Sequence, residues 1–352
     1  MARSRPQTKG NDTIRDVGLP ACYPAILSAP GGRGSVRRMT PDRTEIQAAA
    51  ARIAPFVRHT PVIRLAAGDL GLAFPVTLKL ELLQHAGSFK PRGAFNRILK
   101  AREAGELPAS GVIAASGGNH GAAVAFAARA LGLTAEIFVP QHTPHSKRAR
   151  IEQEAARLVR GGETYFEAFA ASQARQAETG ALQVHAYDHA DVLAGQGTTA
   201  MEFEADAPDL THVLVATGGG GLIGGMAAWF AGRIKVVSVE PANCPALHHA
   251  LAAGKPVESP VGGLAADALG ARQVGGLMFP IAQAHVSEAV LVTDEAIAAA
   301  QKTLWRQMRL VAEPGGATAL AALLSGAWVP PEGARVGVLV CGSNTDPALV
   351  SA

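Results

Sequence analysis

Lys90 stands between Phe89 and Pro91 in the stretch LELLQHAGSFKPRGAFN, residues 80–96. Proline suits the first turn of a helix, and the segment PRGAFNRILKARE reads as helical. Lys90 is therefore expected at a helix start, the positive end of the macrodipole, where a cation is disfavoured. A local rule broken in this way is a hint of function. An amine held there, beside an aromatic ring and away from water, has a reason to lose its proton. A neutral amine attacks carbonyls.

Four other stretches carry chemistry-bearing residues, each also open to a plainer reading. In AASGGNHGAAVAFAA (114–128), Ser116, Gly117, Gly118, Asn119 and His120 open a helix. Free N–H groups there bind anions such as carboxylates, although an ordinary helix cap would look the same. In VATGGGGLIGGMAAWFAG (215–232), Gly218 to Gly221 lie between a strand and a helix. Such a run lets backbone wrap a phosphate; it is neither a P-loop nor a clean dinucleotide fingerprint, though Glu240 ends the next strand and keeps a dinucleotide site as a rival. VLVCGSNTDP (338–347) puts Cys341 at a strand end, where a thiol is most often a buried filler. GGLAADALGA (262–271) is a glycine pair before a helix and says little alone.

The elements needed to position these residues are legible. Short β-branched runs are expected as strands at 76–81, 112–115, 135–139, 156–159, 182–186, 211–217, 235–240, 289–293 and 335–340, with Ala-rich helices at 120–131, 144–155, 222–231 and 294–308. This alternation predicts an α/β fold with parallel sheets covered on both faces. Ligands then bind at the carboxyl ends of the strands, where the Lys90, Ser116–His120, glycine-run and Cys341 stretches fall.

A chain of 352 residues, 48% hydrophobic and 17% charged, makes one large or two ordinary domains. No apolar run is long enough to span a bilayer, and a net charge of +3 calls for neither nucleic acid nor an anionic membrane. Residues 1–38 hold seven Arg or Lys against two Asp. They read as an unstructured extension, or as an over-long start with Met39 as the initiator. Three cysteines without a C-x-x-C pair indicate neither a disulfide framework nor a zinc site and fit a reducing cytoplasm. His248–His249 and the HTPH at 142–145 lack the Cys or carboxylate company of a metal site.

The order SFKPRGA, SGGNHG, GGGGLIGG, VEP, CGSN resembles the fold-type II pyridoxal-phosphate enzymes, and within them the serine/threonine dehydratase and serine racemase group. The resemblance runs from RHTPVIRL (58–65) to the C-terminus. It implies a tryptophan-synthase-β-like fold. The expected organisation is a disordered extension over 1–40, a large cofactor-binding domain from 41–108 and 188–352, and a small domain over 109–187 carrying the substrate-carboxylate loop. It implies that Lys90 carries pyridoxal 5'-phosphate as a Schiff base, with Phe89 packed near the ring. Asn119 would contact the cofactor's 3-oxygen, Gly218, Gly219, Gly220 and Gly221 its phosphate, Gly263 its ring, and Cys341 its pyridine nitrogen. Ser116, Gly118, Asn119 and His120 would hold the substrate carboxylate. The implied activity is dehydration of a β-hydroxy L-amino acid such as threonine or serine, by a cytoplasmic homodimer that binds no nucleic acid or membrane.

Two departures matter. Family members with a divalent-cation site carry an acid after the EP turn, where this chain has Ala246, so no metal is expected. Racemases of this group carry a second serine in an S-S-G-N-H loop, where this chain has Gly117. Rival readings are another β-elimination, a β-replacement or a racemase of the same fold, for example a hydroxyaspartate dehydratase. A dinucleotide-binding oxidoreductase leaves Lys90 and SGGNHG unexplained, and a non-enzymatic scaffold would not need Ser116, Asn119, His120 and Lys90 together.

Overall fold

The computed structural model describes residues 40–351. The extension expected over 1–40 thus lies outside the described residues except for Thr40. The strands are β1 (Val62–Leu65), β2 (Val76–Lys79), β3 (Val112–Ala115), β4 (Ala135–Val139), β5 (Arg157–Arg160), β6 (Leu182–Gln183), β7 (His212–Ala216), β8 (Lys235–Pro241), β9 (Val286–Val292) and β10 (Val336–Leu339). The helices before β7 are α1 (Arg43–Ile53), α2 (Lys90–Glu103), α3 (Asn119–Ala130), α4 (His145–Glu152), α5 (Tyr165–Thr179) and α6 (Ala190–Asp206). Those after it are α7 (Gly221–Phe230), α8 (Ala246–Ala253), α9 (Ala266–Leu269), α10 (Phe279–His285), α11 (Asp294–Met308), α12 (Pro314–Leu324) and α13 (Pro347–Ser351).

Two sheets form. One runs β1-β2-β10-β7-β8-β9 and the other β5-β4-β3-β6. Every pairing is parallel except β1 with β2, which is antiparallel. The fold is α/β as expected, with helices over the sheets. β3 shows why. Val112 and Ala114 belong to the apolar cluster under α2 and α3, while Ile113 and Ala115 join Phe138 and Ala181 on the other face. A strand buried on both sides reads as a continuous apolar run. The expected strands all appear. β1 is an addition: it is short, half-exposed and at the sheet edge.

Lys90, the glycine run and Cys341 follow β2, β7 and β10, which are neighbours in the larger sheet. The segment after β2 is zipped to the segment after β10. Leu82 N donates to Val340 O (2.9 Å), Phe89 N to Cys341 O (3.2 Å) and Ser343 N to Gly87 O (2.9 Å), and Ser88 bridges Gly342. This ladder delivers Lys90 beside Cys341. On the way the chain passes through two left-handed residues, Ala86 (φ 53°) and Gly87 (φ 70°). The first is costly for a residue with a Cβ, by about 1–2 kcal/mol.

Beneath the start of α2 lies a buried ion network. Arg92 and Lys79 are both 0% exposed. Arg92 donates to both oxygens of Glu81 (2.7 and 2.8 Å) and both of Glu202 (2.7 and 2.8 Å). Lys79 donates to Thr60 O (2.7 Å), Glu202 (3.1 Å) and Asp206 (3.0 Å). Burial raises the pKa of Glu202, but bonds and charge from Arg92 and then Lys79 outweigh it and hold the group below the usual range. The network ties β2, α2 and α6 together two residues from Lys90.

Removing one partner of such a network leaves an uncompensated buried charge. Glu81→Ala is expected to cost about 3–5 kcal/mol in urea unfolding. His59→Ala, at the exposed rim against Asp206, should cost far less. Because the Glu202 pKa is depressed in the folded state, its contribution is present above the ordinary carboxylate pKa. It should be lost as pH falls through and below about 4, which acid titration of the unfolding midpoint would check.

Candidate active site

Helix α2 begins at Lys90 itself, with Phe89 at the cap position and Pro91 second. No side chain caps it and no acid lies in its first turn. The Lys90 Nζ donates to the carbonyl of Ala186 (2.9 Å) and lies 5.1 Å from the centre of the Phe89 ring. Enclosure lowers its pKa to about 8, against opposing pulls from Cys341 and Glu313. The broken helix rule read from the sequence is thus present in the fold.

After β3, Ser116 Oγ accepts from Gly118 N (3.2 Å), a tight turn that starts α3 at Asn119. His120 is buried. Its Nε2 donates to Val184 O (2.8 Å), and burial followed by the charge of Lys90 pushes its pKa down to about 3. Its ring is therefore neutral and turned into the protein, and what His120 presents at the loop is its backbone N–H. Asn119 Nδ2 donates to Glu313 (2.5 Å), and its Oδ1 accepts from Asn344 Nδ2 (2.7 Å).

After β7, the glycine run enters α7 at Gly221. Gly220 has φ +90°, and a Cβ on Gly219 would lie 2.5 Å from the Tyr187 ring, so neither position admits a side chain. The first N–H groups of a helix have no partner within it, and glycine leaves them accessible. After β10, the Cys341 Sγ donates to Gly315 O (3.4 Å), and burial pushes the thiol pKa up, so it stays protonated. Gly263 has Asn243 and Asp294 as its nearest neighbours rather than any group touching Lys90.

Glu313 was not found by reading the sequence. It caps α12 just before Pro314, and burial raises its pKa to about 7 against the Asn119 hydrogen bond. Its backbone N–H donates to Gly342 O (3.0 Å). The dipeptide Glu313–Pro314 at a helix start was a usable signal, like the Glu240–Pro241 that was noticed.

Lys90, Phe89, Asn119, Glu313 and Cys341 thus surround one point at the carboxyl ends of the strands, with the glycine run on the neighbouring strand. A family model described as pyridoxal-phosphate dependent enzyme matches residues 53–342. The chain belongs to that family, and within it to the fold-type II serine/threonine dehydratase group. An L-threonine ammonia-lyase of Geobacter sulfurreducens is 39% identical over 311 residues, 88% of this chain and 77% of the relative. A phenylserine dehydratase of Ralstonia pickettii is 34% identical over 313 residues, 88% of this chain and 94% of the relative. The structure of maize serine racemase superposes with a TM-score of 0.81 at 32% identity, covering 87% of this chain and 94% of that one.

Pyridoxal phosphate fits the residues present. An amine with a lowered pKa, a glycine run at a helix start and a protonated thiol are the donors its aldehyde, phosphate and ring nitrogen require. Ser88 Oγ, buried two residues before Lys90, has no hydrogen-bond partner among the described residues. A metal fits less well. Glu240 is buried, and its two oxygens accept from Leu247 N (2.7 Å) and His248 N (2.8 Å) in the first turn of α8, which begins at Ala246. Both carboxylate oxygens of Glu240 are thus engaged by the backbone at the start of α8. Among the described residues no cluster of three or more His, Cys, Asp or Glu is suited to a metal ion.

Two outcomes are expected. Only the neutral amine attacks an aldehyde, so cofactor uptake by the apo protein should rise with pH and be half-maximal near 8, followed by visible absorbance. A midpoint near 10.5, the ordinary lysine value, would remove the case for enclosure. Chelator treatment should leave rate and thermal stability unchanged, and a loss restored by Mg²⁺ or Ca²⁺ would show that Glu240 does engage a cation.

Proposed function

We propose that this protein eliminates water from a β-hydroxy L-amino acid, giving a 2-oxo acid and ammonia. The observation that carries the reading is the enclosed Lys90 amine facing a protonated Cys341 thiol. Pyridoxal phosphate, when bound, supplies the electron sink that makes the substrate's α-proton acidic. Cys341 is a neutral partner for the pyridine nitrogen. It does not strengthen that sink as a carboxylate would, which favours prompt loss of a β-substituent over a long-lived carbanion.

The remaining work falls to the chain. Lys90, with a pKa of about 8, holds enough neutral amine near pH 7 for its Nζ to take the α-proton, which then departs with the β-hydroxyl as water and leaves the amine neutral again. Ser116 and the N–H groups opening α3 hold the substrate carboxylate. Asn119 is fixed between Glu313 and Asn344 and so presents its amide in one orientation. The enamine released hydrolyses in water to the 2-oxo acid and ammonia.

Racemisation needs a second proton donor opposite Lys90. Gly117 offers none, and a Cβ there would lie 2.9 Å from Thr143 Cγ2. The Thr143 hydroxyl already donates to Pro140 O (2.8 Å). Part of the same reading is a small domain over 109–187, supported by the separate sheet of β3 to β6, and a cytoplasmic location, which the free thiols of Cys244 and Cys341 fit; a homodimer belongs to the reading on the family resemblance alone. No helix among the described residues is long and apolar enough to cross a membrane.

Borohydride should fix the cofactor on Lys90, and Lys90→Ala should lose the visible absorbance and at least roughly 100-fold in 2-oxo acid formation. Labelling of Lys79 or Lys100 would overturn the assignment. Chiral analysis during turnover of L-serine should show the D-enantiomer forming at least about 100-fold more slowly than pyruvate. Equal rates would mean that another group serves the second face.

A further inference from the structure

Only 5% of the chain is aromatic, yet four aromatic side chains and a histidine form one line of ring contacts ending at the reactive lysine. Tyr165 meets Phe166 (centroids 5.9 Å apart) and stacks on Phe169 (6.1 Å). Phe169 meets His185 edge-on (6.2 Å), and His185 meets Tyr187 (4.9 Å). His185 and Tyr187 flank Ala186, whose carbonyl accepts from Lys90 Nζ. The Tyr187 ring also lies against Gly219 of the glycine run.

Both ends of the line lie at the carboxyl end of the smaller sheet, the outer one after the edge strand β5 and the inner one after the opposite edge strand β6. Tyr165 opens α5 just after β5, at the carboxyl end of the smaller sheet, where the Ser116 loop also emerges. Opposite, the Arg272 guanidinium stacks on Phe166 (4.8 Å) from the loop that returns to the glycine run, where Gly275 N donates to Gly219 O (3.0 Å). The inner end of the line thus touches the glycine run, and the outer end touches the loop that returns to it. Phe169 packs against the core cluster of Ile113, Ala115, Phe138 and Ala181, but packing of α5 does not account for Tyr165 and Phe166, which remain 41% and 42% exposed.

We infer that this line of rings is the side-chain wall of the substrate site and that it selects β-hydroxy amino acids bearing an aromatic or large apolar β-substituent. The inference rests on the proposed elimination and names its substrate class. Aromatic rings at centroid spacings of 4.5–7 Å accept a further ring edge-on or offset with favourable geometry. A methyl or hydrogen at the β-carbon gains little from such a wall, so serine and threonine would use the same catalytic groups without it.

The test is a comparison of L-threo-β-phenylserine, L-threonine and L-serine by 2-oxo acid formation. It runs beside calorimetric binding of L-phenylalanine and L-alanine, which lack the leaving hydroxyl. Phenylserine should exceed threonine in kcat/KM by roughly 10-fold or more, the scale of burying one ring. Phe169→Ala should lower phenylserine turnover by roughly 10-fold while changing serine by less than about 3-fold, and should cancel the tighter binding of L-phenylalanine. The exposed Phe166→Ala and Tyr165→Ala give the same reading should Phe169→Ala not fold. Equal losses on all three substrates, or no preference for L-phenylalanine over L-alanine, would overturn the inference and leave elimination standing. If none of the three yields a 2-oxo acid, elimination is what fails, and the calorimetric preference alone decides the wall.

Discussion

The structure depends on enclosing one amine, largely away from water, at the wrong end of a helix. Lys90 is the first residue of α2, and nothing in that first turn offsets its charge. The backbone carbonyl of Ala186, from the end of the smaller sheet, takes its proton donor. The segment after β10 closes the other side. A neutral amine costs less there than a cation, and the fold accepts the strain of Ala86 to hold it.

That placement needs a rigid floor. Arg92 and Lys79 supply it from beneath: Arg92 is locked to carboxylates from two elements, Glu81 after β2 and Glu202 on α6, and Lys79 to two carboxylates of α6, Glu202 and Asp206. A buried ion pair is weak evidence for net stability. Its value here is geometric: bidentate guanidinium contacts to Glu81 and Glu202 set the rotation of α2 about its axis, and hence the direction in which the Lys90 stem points.

Much of this was legible beforehand, for physical reasons. Strands buried on both faces, such as β3 and β7, read as short apolar runs, and the functional stretches follow them directly. β1 escaped because an edge strand with mixed exposure carries little periodic signal. The ion network escaped because Arg and Lys are ordinarily exposed, and Glu202 lies 110 residues from Arg92. The direction of the His120 ring is set by the Val184 carbonyl, a tertiary partner that no local pattern reveals. Glu313 was missed although its Glu–Pro helix start is a local feature, because Asn119, which explains it, is 194 residues away.

The pairing of Gly87 with Ser343 spans 256 residues. Contacts so distant in sequence form late, after the loop-closure entropy of everything between them has been met. Until β10 docks, Lys90 lacks part of the enclosure that lowers its pKa, and less of its amine is neutral and able to attack an aldehyde. The most reactive form of the amine is thus completed by a contact between distant parts of the chain, which couples its chemistry to the end of folding.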